Sequence, residues 1–301
     1  MAPKMVTSFR RSLSFPNPPS QTSGKPPKSL HVRSASLPCR THPIIAQLRD
    51  EIAELSSWSA AVSDGGRTAA WICDGMRRLK TVHESLDDLL HLPQTRESLR
   101  GGDCSRLIEN LLEDFLRFVD VYGTFQTLFI KLKEEFSAAQ IAVRRKDNSI
   151  AVAHSKNLTK ISKEIGKLSS NLLSIGKLTV ASAGASFDDE VELIEVVNDV
   201  LKVTVSVSGA LFNGLSNSPA FRRPSPIGLS FTKTVKIEAG IREFQQINLE
   251  NLRKKTEEEI KITSKQMHRT EDHMVEIEGC AERAYRSLIN ARVSLLNVLT
   301  Q

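Results

Sequence analysis

Apolar or small residues recur at strict heptad spacing near the C-terminus. They stand at Met267, Met274, Ile277, Ala281, Ala284, Leu288, Ala291, Leu295 and Val298, with Thr270 as the one polar member. Ten consecutive a/d positions define a seam along one face of a single helix, and such a seam needs a partner to cover it. Its alanines let a neighbouring helix approach closely. The pattern carries the helix almost to Gln301, so the end of the chain is expected to be docked.

The preceding sequence repeats the helical period. Ile45, Leu48, Ile52, Leu55 and Val62 mark a first helix, ended by Asp64-Gly65-Gly66. Thr41 is its candidate N-cap, with Pro43 in the first turn, where a missing N–H costs nothing. Ile72, Met76, Leu79, Leu86 and Leu89 mark a second helix that stops before Pro93. Asp103 caps a third, whose wide apolar stripe runs from Leu107 through Phe115, Phe118, Tyr122, Phe125 and Phe129 to Phe136. About 40 residues of helix span about 60 Å. Leu158, Ile161, Ile165, Leu168, Leu172 and Ile175 define a fourth, with Lys156, Lys160, Lys163 and Lys167 on another face. Ser186 and Asp189 resemble a capping box for a fifth. Val203, Val205 and Val207 alternate as a strand would, but Val196, Val200, Val203, Val207 and Leu211 keep helical spacing. After a proline-rich loop over 216–226, the helical pattern resumes at Phe231 and runs through Val235, Ile241, Phe244, Ile247 and Leu252 into the heptads. The expected fold is an all-α, elongated bundle of long antiparallel helices over residues 42–301. Aromatic residues are only 5 % of the chain, which suits such a bundle.

Residues 1–41 hold seven of the twelve prolines and are rich in Ser and Arg, so they are expected to form a disordered tail. Residues 1–49 contain eight Lys/Arg and no Asp or Glu, leaving 33 basic and 35 acidic residues in the rest. The basic character therefore belongs to the tail. It gives no ground for expecting nucleic-acid binding by the whole protein. The short clusters Arg144-Arg145-Lys146 and Arg222-Arg223 lack stacking aromatics beside them. No secretory h-region follows Met1–Val6. The longest uncharged run, Val203 to Phe221, is too polar and broken for a membrane span.

Several stretches together resemble the BYPASS-like proteins, a plant-specific family. They are His31 to Pro38 (HVRSASLP) closing at His42-Pro43, Cys73-Asp74-Gly75, Leu86 to Pro93 (LDDLLHLP), Leu116 to Gly123 (LRFVDVYG), Arg144-Arg145-Lys146 and Leu288 to Thr300 (LINARVSLLNVLT). The resemblance covers about residues 30–301. It implies an all-helical plant protein of a family linked to root and shoot development, and it brings no catalytic residues with it.

Enzyme signatures are absent. The histidines His31, His42, His83, His91, His154, His268 and His273 form no HExxH, and no GxGxxG, Walker loop or GxSxG occurs. Cys39, Cys73, Cys104 and Cys280 form no CxxC and are expected as reduced, mostly buried thiols. No catalytic, cofactor-binding or metal-ligating residue is assigned. The reading is a non-enzymatic regulatory or scaffold protein. The rival is an enzyme whose site lies in the bundle core, which a buried cluster of convergent polar groups would favour.

One short pattern occurs twice in the tail. Arg11-Ser12-Leu13-Ser14-Phe15-Pro16 and Arg33-Ser34-Ala35-Ser36-Leu37-Pro38 both read R-S-x-S-x-P. Phosphorylation of Ser14 or Ser36 presents a dianion in an extended segment ended by proline, the kind of ligand 14-3-3 proteins take through Arg clusters. Two such sites can engage a dimeric partner with a gain in effective concentration. Two alternatives stay open for the same tail. Its Ser-rich, acid-free composition matches a plastid transit sequence, against the cytoplasmic reading. Its cations, with Phe9 and Phe15 as weak anchors, could also attract an anionic membrane surface.

Overall fold

A computed structural model describes residues 42–60, 67–100, 105–175, 188–218, 240–245, 247, 249 and 252–300. The helices are α1 (Pro43–Ala60), α2 (Ala69–His91), α3 (Pro93–Arg100), α4 (Ser105–Arg144), α5 (Asn148–Leu172), α6 (Asp188–Ser216), α7 (Arg242–Gln245) and α8 (Glu257–Thr300), with a 3-10 turn at Leu252–Lys254. The described residues contain no strand beyond one isolated bridge between Arg67 and Ile241. None of their helices is long and apolar enough to cross a membrane. The expected tail, Thr41, Asp103 and the Ser186 end of the expected capping box lie outside the described residues.

α8 organises the bundle. Its 44 residues span about 66 Å, and all ten heptad positions are buried. Two helices cover this seam. Against α4 the pairs Lys133–Glu278, Ser137–Glu271 and Arg144–Ser264 run in opposite directions, so α4 and α8 are antiparallel. Against α2 the pairs Arg77–Glu276 and His83–Ser287 advance together, so α2 and α8 are parallel. The α5 helix returns along α4, with His154 and Asn157 both reaching Glu135. Between α5 and α6, Ser162 donates to the Leu215 carbonyl. The α1 helix runs with α6 through Arg49–Glu192 and Ser59–Ser206.

Local chemistry sets the ends. Thr68 caps α2 by accepting from Trp71 N–H, and Asp147 caps α5 by accepting from Ser149 and Ile150 N–H. Lys146, at φ 56°, turns the chain between α4 and α5. Thr256 and Glu259 form a reciprocal capping box that starts α8: each side chain accepts from the other residue's N–H.

The α2 helix ends at His91, before Pro93 as expected, and Pro93 then opens α3, because proline suits the first turn of a helix. One boundary differs from expectation. The pattern from Ile241 to Leu252 is not one helix running into the heptads. Among the described residues there, only Arg242–Gln245 and the 3-10 turn are helical, and the capping box starts α8 afresh. Ile241, Phe244, Ile247, Leu249 and Leu252 are all buried, so their spacing reflected core packing rather than continuous helix. Phe231 and Val235 lie outside the described residues. The valines of α6 are helical, with Val203 and Val207 buried.

Candidate functional site

The centre of the bundle contains a cluster of convergent polar groups. His83 of α2 lies among Leu79, Val82 and Leu86 and is 1 % exposed. Its Nδ1 is 2.9 Å from Ser287 Oγ on α8, and its Nε2 is 2.9 Å from Thr204 Oγ1 on α6. Each hydroxyl also reaches a carbonyl of its own helix, Ser287 that of Ala284 at 2.8 Å and Thr204 that of Val200 at 2.7 Å. The Tyr122 hydroxyl of α4 lies 2.7 Å from Ser208 Oγ of α6, with its ring stacked on that of Tyr285. Four helices are thus joined by hydrogen bonds inside an aromatic core.

Burial decides what these groups can do. Removing the imidazole from water disfavours its cation, so the His83 pKa falls to about 3 and the ring is neutral at physiological pH. A neutral ring donates through one nitrogen and accepts through the other, so one hydroxyl accepts from the ring while the other turns its single proton to the ring in place of its own helix's carbonyl. The same burial raises the Tyr122 pKa. Ser287 and His83 have the spacing of a nucleophile and its base. A base with so low a pKa is poorly matched to proton abstraction near neutrality.

A small cleft of about 130 Å³ between α2 and α8 leads to this pair, with Lys80, Asp87, Arg283, Arg286 and Asn290 around it. Its rim charges are engaged. Lys80 pairs with Glu84 at 2.6 Å, Arg286 pairs with Glu282, and Asp87 accepts from Ser294.

Two to three turns away, Cys73 of α2 meets Cys280 of α8. Both are buried and free of disulfide. Their thiols hydrogen-bond, and Arg283 donates to Cys280 Sγ at 3.1 Å. Cys280 ionises first, lowered to about 6 by the bond from Cys73, with Arg283 and Arg77 assisting against burial. Cys73 keeps its proton: its bond to Cys280 raises its pKa, and burial adds to the rise. Two sulfurs do not make a metal site, and the described residues contain no group of three or more His, Cys, Asp or Glu able to hold one. Cys39 and Cys104 lie outside the described residues.

Ser14 and Ser36, with Arg11, Ser12, Pro16, Arg33, Ser34 and Pro38, also lie outside the described residues. The residues brought together instead were not singled out by sequence reasoning. Their only signal was polarity on an apolar face: His83 within the stripe of α2, and Ser287 next to the heptad residue Leu288.

Four of the stretches that carry the family resemblance have packing roles, while Arg144-Arg145-Lys146 are exposed and His31 to Pro38 lies outside the described residues. A Cβ on Gly75 would fall 2.2 Å from Trp58 Cζ2, so only glycine fits there. In the Leu116–Gly123 stretch, Phe118 and Tyr122 are fully buried. Asp87 of LDDLLHLP accepts from Ser294 in the closing stretch, which joins two of the resembling segments directly. No curated protein and no solved structure matches the chain. A family model described as Protein BPS1 matches residues 75–298, from the glycine under Trp58 to the last heptad position. That span is most of the 301 residues, and the chain belongs to this plant family, the Protein BPS1 family.

Proposed function

We propose that the protein is a non-enzymatic regulatory or scaffold protein of root and shoot development, which docks protein partners through its phosphorylated N-terminal tail. The observation that supports the reading is how the buried polar groups are used. His83, Thr204, Ser287, Tyr122 and Ser208 are bonded to one another across α2, α4, α6 and α8. Groups spent on holding helices together leave the outside of the bundle and its tail as the parts that meet other molecules. The protein works in the cytoplasm, where basophilic kinases can reach Ser14 and Ser36.

Phosphorylation should make the chain a 14-3-3 ligand. Each phosphate subtracts about 1.5 to 2 charges, so two cancel about half of the eight positive charges on residues 1–49. The phosphorylated full-length chain is expected to be retained by immobilised 14-3-3. Ser14→Ala or Ser36→Ala should weaken retention by loss of bivalency, and the double substitution should abolish it with helix content unchanged by circular dichroism. Equal capture of the double variant and the wild type would end the docking reading. A mature protein in tissue that begins near residue 40 would instead make the tail a transit sequence and place the chain in the plastid.

One observation favours the enzymatic rival. The cleft beside Lys80 and Arg283 opens onto the Ser287–His83 pair. Turnover of a small molecule by purified protein, lost in Ser287→Ala at full stability, would replace the scaffold reading with that one.

A further inference from the structure

Residues 50–301 carry their charge unevenly. Residues 144–147 and 252–269 hold nine Lys/Arg against four Asp/Glu, a net of +5. The other residues from 50 onward hold 24 basic and 31 acidic, a net of −7. The fold brings the two basic segments to one end of the bundle. Arg144 Nε reaches Ser264 Oγ at 3.3 Å, and Asn148 accepts from Leu252 N–H. A shallow cleft of about 440 Å³ opens there between α4 and α8, lined by Arg144, Lys261, Lys265 and His268 over Ile260 and Ser264.

The acids of this end are already engaged. Glu257 pairs with Lys146, Glu258 pairs with Lys261, Glu259 is held in the capping box, and Asp147 caps α5. Arg145, Lys265 and Arg269 are exposed and form no ion pair among the described residues. Beside them stand exposed aliphatic side chains. Ile141 is 49 % exposed one turn before Arg145, and Ile262 is 56 % exposed three residues before Lys265. Ile150 is exposed in the first turn of α5 at the same end.

Free cations interleaved with exposed isoleucines fit a surface that is anionic outside and hydrocarbon just beneath. We infer that this end of the bundle, where α4 meets the start of α8, is a docking surface for an anionic lipid bilayer. The cations meet headgroup phosphates and carboxylates, while the isoleucines enter the headgroup and acyl boundary. Single-stranded nucleic acid is a poorer fit, since it is held largely by stacking on aromatic side chains and the exposed apolar residues here are aliphatic. The net charge of −7 elsewhere on residues 50–301 repels the same bilayer, so the charge distribution also orients the molecule on it. This surface belongs to the bundle and acts whether or not the tail is phosphorylated.

The test is sedimentation of the full-length chain with vesicles of phosphatidylcholine alone or mixed with phosphatidylserine. Binding should need phosphatidylserine and fall as salt rises. Each neutralised cation should cost about fivefold in partition. The triple variant Arg145→Gln, Lys265→Gln, Arg269→Gln should therefore lose about a hundredfold with helix content unchanged. The pair Ile141→Ser, Ile262→Ser should weaken binding at constant charge. Full binding by the triple variant, or loss only when Arg10, Arg11 and Arg33 of the tail are neutralised, would overturn the inference and assign lipid attraction to the tail. Capture of duplex DNA or an acidic peptide in preference to vesicles, unaffected by the isoleucine pair, would overturn it as well. The 14-3-3 capture assay is independent of every one of these outcomes.

Discussion

Gly75→Ala is expected to destabilise the bundle by about 1 to 3 kcal/mol, and Gly75→Leu by more. Helix propensity alone predicts the opposite sign, since Ala in place of Gly within a helix gains about 1 kcal/mol. Packing decides the matter. A Cβ at residue 75 would stand 2.2 Å from Trp58 Cζ2 and 2.4 Å from Cη2. Trp58 cannot readily swing aside, because its ring stacks on Trp71 with centroids 3.9 Å apart and planes 15° apart. The Arg67 guanidinium lies over the Trp71 ring at 5.6 Å. Any added atom at residue 75 must push α1 off α2 or break this stack. Gly123→Ala is the matched contrast. Its Cβ would meet only the Tyr285 hydroxyl, at 3.9 Å, so the substitution should be neutral or stabilising. Urea unfolding followed by tryptophan fluorescence checks both, since the chain's two tryptophans form this stack. If Gly75→Ala proves as stable as Gly123→Ala, close packing is not what the Cys73-Asp74-Gly75 stretch provides.

The helices were legible in the sequence wherever one face is buried along a whole element. The seam of α8 is the clearest case: ten heptad positions, all buried, covered by α2 on one flank and α4 on the other. The stripe from Phe115 to Phe136 was equally readable, because a helix in the middle of a bundle buries a wide face. Legibility failed where apolar spacing and helix were not the same thing. Ile241, Phe244, Ile247 and Leu252 keep a helical rhythm, yet they pack as a compact connection. The hydrogen bonds that fix the connection come from elsewhere: Arg242 N–H donates to the Arg67 carbonyl, and Leu252 N–H to Asn148. No window of local sequence contains those partners. The stop of α2 before Pro93 was legible, whereas the helix that the same proline opens was not.

The polar centre was hidden by distance along the chain. Thr204 is 121 residues from His83, and Ser287 is 204 residues from it. Each is an ordinary residue in its own helix. A histidine on an apolar stripe is a site only if something far away answers it, and periodicity carries no information about that. Cys73 and Cys280 were likewise read as separate buried thiols. Their burial was legible from composition, while their contact depends on the register between α2 and α8.

That register makes the fold sensitive to acid through one residue. In the unfolded chain His83 titrates near its ordinary pKa of about 6.5, whereas in the folded chain burial holds it near 3. The folded state therefore binds its proton less readily. Above about pH 6.5 neither state is protonated, so His83 contributes no pH dependence. As pH falls below that value the unfolded state takes up a proton that the folded state refuses. Stability then drops by about 1.4 kcal/mol per pH unit until the folded ring itself protonates near pH 3. By about pH 5 the loss is about 2 kcal/mol. His83→Leu isolates this contribution, because Ser287 and Thr204 can both donate to the Ala284 and Val200 carbonyls when the ring is gone. The variant should be less stable than the wild type near neutrality, from lost packing and the lost bridge. The gap should close steadily on acidification, since carboxylates titrate alike in both proteins and cancel in the difference. Urea titrations of the two proteins across this range measure that difference directly. A gap that stays constant from about pH 7 to about pH 5 would mean that the folded ring binds a proton as readily as the unfolded one. The Ser287–His83–Thr204 bridge would then be open to water, and the case for a working base beneath the Arg283 cleft would gain what the scaffold reading lost.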